Sequence, residues 1–246
     1  MRLRRALARR LDPSVYDLGE LASHGVAGNP LAEYFHANNH GRRINKWMHY
    51  FDIYHRHLQP YRDKPVTIVE FGVEAGGSLQ MWKSYFGPEA RLVGVDINPK
   101  CAALAEDQIE IVIGDQDDRD FLKSVADRIG PIDVLIEDGG HRMTQQIGTF
   151  EEFWPSIVKG GVFLIEDLHT SYWATHNGGY RLESTFIEYA KNLIDQQHAW
   201  HSQEDDFEVD DYTRTIGGMH VYDSIIVFDK AAVTKPFSKM KGRRSH

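Results

Sequence analysis

Three features of the 246-residue chain predict an α/β fold: a doubly wound, mainly parallel sheet with a closing antiparallel strand, preceded by an N-terminal helical cap. Short β-branched runs recur (VTIVEF, RLVGVD, IEIVIGD, IDVLIED and GVFLIED), most of them end in an acid, and segments with helical spacing separate them. Runs that are apolar throughout suit strands buried on both faces, and strand–helix alternation requires right-handed crossovers in a parallel sheet.

The opening MRLRRALARR lacks the apolar core of a secretion signal. Its Leu3, Leu7 and Leu11 suit a short amphipathic helix, and an arginine-rich, acid-free start also fits an organelle-targeting peptide. Over residues 31–58, Trp47, Tyr50, Phe51, Tyr54, His55 and Leu58 recur at the spacing of one helix face, which predicts a helix with a packed aromatic stripe; Lys46, His49 and His57 fall on its other faces, where a roof over a ligand is the alternative to plain packing. Residues 1–60 are therefore read as the cap, 61–234 as the catalytic domain and 235–246 as a basic tail. Between the strands, SLQMWKSYF, AALAE, RDFLKSVADRI and TQQIGTFEEFWPSIV supply the crossover helices. HTSYWATHNGGYRLES is a long irregular stretch of the kind that forms lids, and a helix follows near residues 183–198. SQEDDFEVDD reads as an exposed loop without the glycine-centred pattern of a calcium site, and MHVYDSIIVFDK as the closing antiparallel pair.

The chain carries 28 basic and 36 acidic residues, a formal charge of −8. Ten of the basic residues lie in the two ends, 1–10 and 235–246, so residues 11–234 hold 18 against 36 acids, a net −18. An acidic body disfavours phosphate backbones, and nucleic acid is not an expected partner. The single cysteine, Cys101, suits buried filler in a reducing cytoplasm, and no apolar run reaches membrane-spanning length.

Ligands of doubly wound sheets bind beyond the carboxyl ends of the strands, where Glu70, Asp96, Asp115, Asp138 and Asp167 are expected. The loop from Gly72 through Glu74 to Gly76 and Gly77 resembles GxGxxG, with Glu74 in place of the second glycine. A carboxylate there opposes a pyrophosphate and suits a cationic, phosphate-free cofactor such as S-adenosylmethionine. Asp96 is then placed for the ribose hydroxyls and Asp115 for the adenine edge. A tight turn with close helix packing is the bland explanation of the glycines.

Asp138, Glu166 and Asp167 offer hard oxygen ligands without a thiolate, which favours Mg²⁺. Acids capping neighbouring helices are the structural alternative. His141 lies three residues past Asp138 in a glycine turn, and an imidazole, with its ordinary pKa of about 6.5, suits a general base. His141 and His169 with one carboxylate could also make the iron triad of oxygenases, but the usual HxD spacing is absent. No serine or cysteine stands in a nucleophile motif.

The stretches KWMHYF, VEFGVEAGGSLQMWKSYF, VGVDI, GDQDD, IEDGGH and IEDLHTSYW, over about residues 46 to 180, together resemble the Mg²⁺-dependent, S-adenosylmethionine-dependent sugar O-methyltransferases of macrolide biosynthesis. The resemblance implies a class I methyltransferase fold in which Asp138, Glu166 and Asp167 bind Mg²⁺ and His141 is the base. It places Gly72, Glu74, Gly77, Asp96, Asp115 and Gln116 along the cofactor, Tyr172 and Trp173 along the acceptor, and suggests a dimer. The chain departs in being short before the glycine loop, without the family's separate N-terminal domain, and in Gly140, where a serine is expected. It is also similar to methyltransferases of mycobacterial methylmannose polysaccharide or lipid-linked rhamnose. The expected acceptor is thus a sugar hydroxyl of an oligosaccharide, a polysaccharide or a glycosylated natural product. An NAD-dependent oxidoreductase is the competing enzyme, opposed by Glu74 and the acid cluster, and an idle binding protein on the same fold is the third reading.

Overall fold

The computed structural model describes residues 28–242; the Leu3, Leu7 and Leu11 helix and the targeting reading lie outside them. Two short helices replace the continuous helix expected over 31–58: α1, Pro30–Ala37, and α2, Tyr50–Leu58. Local chemistry separates them. The Asn29 side chain accepts the Leu31 and Ala32 amides at 3.1 and 3.4 Å, Pro30 opens α1, and Asn38 then bonds its own Nδ2 to the Arg42 carbonyl at 2.8 Å. Residues 38–49 run irregularly across the strand ends, so Trp47 precedes α2 and is 56% exposed, while Tyr50, Phe51, Ile53, Tyr54 and Leu58 are buried.

The sheet is formed by β1 (Thr67–Phe71), β2 (Arg91–Asp96), β3 (Ile109–Ile113), β4 (Ile132–Glu137), β5 (Ile157–Ile165), β6 (Ile216–Val221) and β7 (Ile226–Lys230). Their order is β3-β2-β1-β4-β5-β7-β6, with β1 to β5 parallel and β7 antiparallel to both neighbours. The connecting helices are α3 (Gly77–Phe86), α4 (Arg119–Ile129), α5 (Met143–Phe153), α6 (Phe186–Gln197) and α7 (Asp211–Thr215).

Strand side chains alternate between two cores. Ile68, Leu92, Val134 and Leu164 pack with α1, α2 and α3, while Val69, Phe71, Val93 and Leu135 pack with α4, α5 and α6, giving three layers. Cys101 is buried, as its filler role required. No helix among the described residues is long and apolar enough to cross a membrane.

Strand order reverses between β1 and β4, and register there pairs Phe71 with both Val95 and Glu137. The residues that follow, Gly72, Asp96 and Asp138, therefore emerge on one edge at the switch point, where such sheets bind ligands. Glu70 does not join them. It lies inside β1, faces α3, and accepts from the Ser78 hydroxyl at 2.9 Å and the Trp82 indole at 2.8 Å.

Candidate active site

After β1 the chain turns through Gly72, at φ +85°, where a Cβ would stand 1.9 Å from the Asp138 carbonyl oxygen. Only glycine fits that approach. The Val73 and Glu74 amides donate to one Asp96 oxygen at 2.9 and 3.0 Å, and the Asn98 amide to the other at 2.8 Å. These bonds fix the carboxylate while leaving acceptor capacity for a hydroxyl. The exposed Glu74 carboxylate pairs with Arg43.

Gly72, Glu74, Asp96, Asp115 and Gln116 line an open cleft of about 450 Å³, within the usual range for small-molecule sites. Gly76 and Gly77 lie behind it: Gly76 takes φ +74° before α3, and a Cβ on Gly77 would meet the Arg43 carbonyl at 2.2 Å. Gln116 has a further task. Its Nε2 donates to Glu137 at 2.7 Å and Thr149 at 2.9 Å, and its Oε1 accepts the Gly140 amide at 3.1 Å, which holds the turn leading to His141.

A second cavity of about 390 Å³, lined by Trp47, Met48, Tyr50 and Glu166 among others, adjoins the first. The two share Asn45, Lys46, Asp138 and Asp167. At that junction His141 Nε2 lies 3.8 Å from an Asp138 oxygen and 3.5 Å from an Asp167 oxygen. Ligand atoms of Asp138, His141 and Asp167 all fall within 4.8 Å of one another, and the Tyr50 hydroxyl donates to Asp167 at 2.7 Å. Glu74, His141 and Asp167 each have φ near +50°, at +47°, +54° and +55°. Three side-chain-bearing residues in the left-handed region around one cleft mark a backbone held against its local preference.

Glu166 is fully buried beside this group, and its carboxylate meets the Lys46 ammonium at 2.8 Å. Lys46 also pairs with Asp138. Burial alone would depress the lysine, yet the carboxylates of Asp138 and Glu166 outweigh it and hold the ammonium charged above its ordinary range. Burial and the neighbouring Asp138 push the Glu166 carboxyl upward against that pull. The sequence offered Lys46 only as part of a roof over a ligand, and its pairing with Asp138 and Glu166 was not foreseen, because a lone lysine in an irregular segment has no period to reveal its partners.

Other expected residues stand farther off. His169 bonds Ser224 through Nδ1 at 3.2 Å and is not in the Asp138–His141–Asp167 group, so the two-imidazole iron triad does not assemble. Tyr172 and Trp173, 53% and 46% exposed, line neither cavity. Trp173 approaches only indirectly: its ring lies 4.6 Å from that of His169, which lies 5.6 Å from that of Trp47.

The donor set fits a hard divalent cation, since two aspartates converge with a buried glutamate alongside and an internal ammonium already occupies part of that space. Comparison with known proteins agrees with this chemistry. Residues 69–168 match a family model described as a methyltransferase domain. The chain is 36% identical over 199 residues to 8-demethyl-8-alpha-L-rhamnosyl tetracenomycin-C 2'-O-methyltransferase of Streptomyces olivaceus, an alignment covering 76% of this chain and 52% of that one. It is 34% identical over 196 residues to mycinamicin VI 2''-O-methyltransferase of Micromonospora griseorubida, covering 75% and 49%. The MycE methyltransferase from the mycinamicin biosynthetic pathway, solved in complex with Mg and SAH, superposes with a TM-score of 0.73 at 32% identity, over 83% of this chain and 54% of that one. The chain spans about half the length of the curated relatives it matches.

Proposed function

We propose, from the premise that this chain has a class I methyltransferase fold and sugar O-methyltransferases as relatives, that it transfers the methyl group of S-adenosylmethionine to a sugar hydroxyl with Mg²⁺ as its metal. The observation that carries the reading is the junction of two cavities at Asp138, His141 and Asp167, one with cofactor-suited loops and one open beneath Trp47. The oxidoreductase alternative gains no support from these relatives.

In this reading Gly72 and the fixed Asp96 carboxylate seat the cofactor's ribose, Asp115 faces its adenine, and Glu74 and the acidic rim favour its sulfonium. Asp138, Glu166 and Asp167 would hold Mg²⁺, with Lys46 giving up its place between Asp138 and Glu166. Bound there, the metal supplies Lewis acidity that orients and acidifies the acceptor hydroxyl. His141 Nε2 takes the hydroxyl proton as the oxygen attacks the methyl carbon, so an O–C bond forms, the S–C bond breaks, and the neutral thioether S-adenosylhomocysteine leaves. Trp47, which lines the second cavity, offers its ring to the sugar. The acceptor is a glycosylated natural product or an oligo- or polysaccharide, and a dimer working in the cytoplasm completes the proposal.

The test is methyl transfer from labelled S-adenosylmethionine to a panel of rhamnosides and mannosides, with Mg²⁺ and with EDTA, beside melting curves with S-adenosylhomocysteine and with NAD⁺. A native-state ligand at 100 times its Kd adds about 2.7 kcal/mol, an easily read shift. Stabilisation by S-adenosylhomocysteine and Mg²⁺-dependent labelling are expected. Undiminished labelling in EDTA would remove the metal from the mechanism, and stabilisation by NAD⁺ alone would replace the reaction class.

A further inference from the structure

A second cluster of metal-ligating side chains lies outside the cavities described above. On β6, Gly218 and His220 occupy alternate positions and so share a face, and Asp229 of β7 pairs in register with Gly218. The C-terminal turn of α2 brings His57 against them: the His57 and His220 rings are 4.6 Å apart between centroids. His220 Nε2 lies 2.7 Å from Asp229 Oδ2, and His57 Nε2 lies 2.9 Å from the Tyr222 hydroxyl. One ring nitrogen from each histidine and one Asp229 oxygen all fall within 4.8 Å of one another. A Cβ on Gly218 would stand 3.3 Å from that Asp229 oxygen and 3.8 Å from His220 Nε2, so the glycine leaves the donor atoms uncrowded. The nearby cation is Arg56, whose guanidinium lies over the Tyr222 ring at 5.9 Å.

We propose that His57, His220 and Asp229 form a second metal site that takes a zinc-class transition-metal dication. Two imidazoles and one carboxylate are the donors that borderline metals prefer, whereas Mg²⁺ selects oxygen, so this site is chemically separate from the cluster at Asp138 and Asp167. Three protein ligands leave a fourth position for water or the Tyr222 hydroxyl. Zinc–ligand bonds of about 2.0–2.2 Å keep tetrahedral donors about 3.3 Å apart, so binding draws the three side chains together. The metal fastens the end of α2 to the β6–β7 hairpin, two elements that sequence separation alone leaves unconnected. Nothing in this inference depends on which reaction the chain catalyses.

Equilibrium dialysis of the full chain against Zn²⁺ measures it, with His57→Gln and His220→Gln as variants and circular dichroism as the check on folding. Zn²⁺ bound per chain should fall by one equivalent in each variant, and the rise in Tm that Zn²⁺ gives the parent should shrink with it. Co²⁺ in place of Zn²⁺ should give visible d–d absorption that both variants lose. Should either variant fold poorly, Asp229→Asn carries the same expectation. A parent that retains no Zn²⁺, or folded variants that bind as much as the parent, would overturn the site.

Discussion

At the scale of single residues, the site is a balance of charge that His141 and Lys46 make testable. His141→Ala should lower kcat by roughly 10² to 10⁴, the usual contribution of a general base, while leaving S-adenosylhomocysteine affinity intact; retained turnover would dismiss the base. Lys46→Met leaves Asp138 and Glu166 facing each other without a cation, and breaking a buried pair typically costs about 3–5 kcal/mol. Urea denaturation in EDTA should show that loss, and Mg²⁺ should restore more stability to the variant than it adds to the parent. Glu70 provides a pH test. Burial raises its pKa from 4.5 to about 7, so the native state holds a proton the unfolded state has released. Stability is then fully present below pH 4.5 and falls as pH rises toward 7, by up to about 1.4 kcal/mol for each pH unit in which the two states differ by one proton. Glu70→Gln should flatten that fall in denaturation curves between pH 5 and 7. Asp138, His141 and Asp167 were readable from sequence because a strand end states its own location in a parallel sheet. The pairing of Lys46 with the acids and the buried orientation of Glu70 were not, since each depends on how elements pack: the lysine on Glu166 after β5, the glutamate on Trp82 in α3.

At the scale of elements, close backbone approaches govern the site's shape. Gly77→Ala forces a methyl group against the Arg43 carbonyl, so either α3 or the 38–49 crossing must shift. Because that crossing carries Lys46 and Arg43 over the cleft, the variant should bind S-adenosylhomocysteine more weakly by calorimetry, with circular dichroism preserved. Unchanged affinity would mean the crossing does not shape the cleft. The strands were readable because their apolar runs are buried on both sides and bounded by turn residues. The 31–58 segment misled, as Trp47 falls on the helical spacing by coincidence, whereas Asn29 and Asn38 set the real boundaries with side-chain bonds that periodicity does not register. The start of β6 was hidden for the opposite reason: Gly217 and Gly218 give it no apolar alternation, and its register shifts there.

At the scale of the whole molecule, α1 and α2 share one core with the sheet. Tyr54 is fully buried and its ring packs edge-on at 5.2 Å from that of Trp82 in α3. Thermal unfolding followed by far-ultraviolet dichroism and by tryptophan fluorescence should therefore give coincident transitions, and Tyr54→Ala, which removes a large core side chain at a cost of roughly 3–5 kcal/mol, should lower both together. A helical layer melting ahead of the sheet would separate the two curves.

The place of β7 has a consequence for how the chain is made. The last of the described strands is wedged between β5 and β6, and the tip of its hairpin touches the segments that flank the site: the Asp223 carbonyl contacts His49, and the Ser224 hydroxyl contacts His169. During synthesis, β1 to β5 can leave the ribosome and pair in order, but β5 keeps an open edge until residues 226–230 emerge. Among the described strands, the edge of β5 is thus covered by the one that comes latest in the chain, and a nascent chain stalled before residues 226–230 presents a bare strand edge for chaperones to cover.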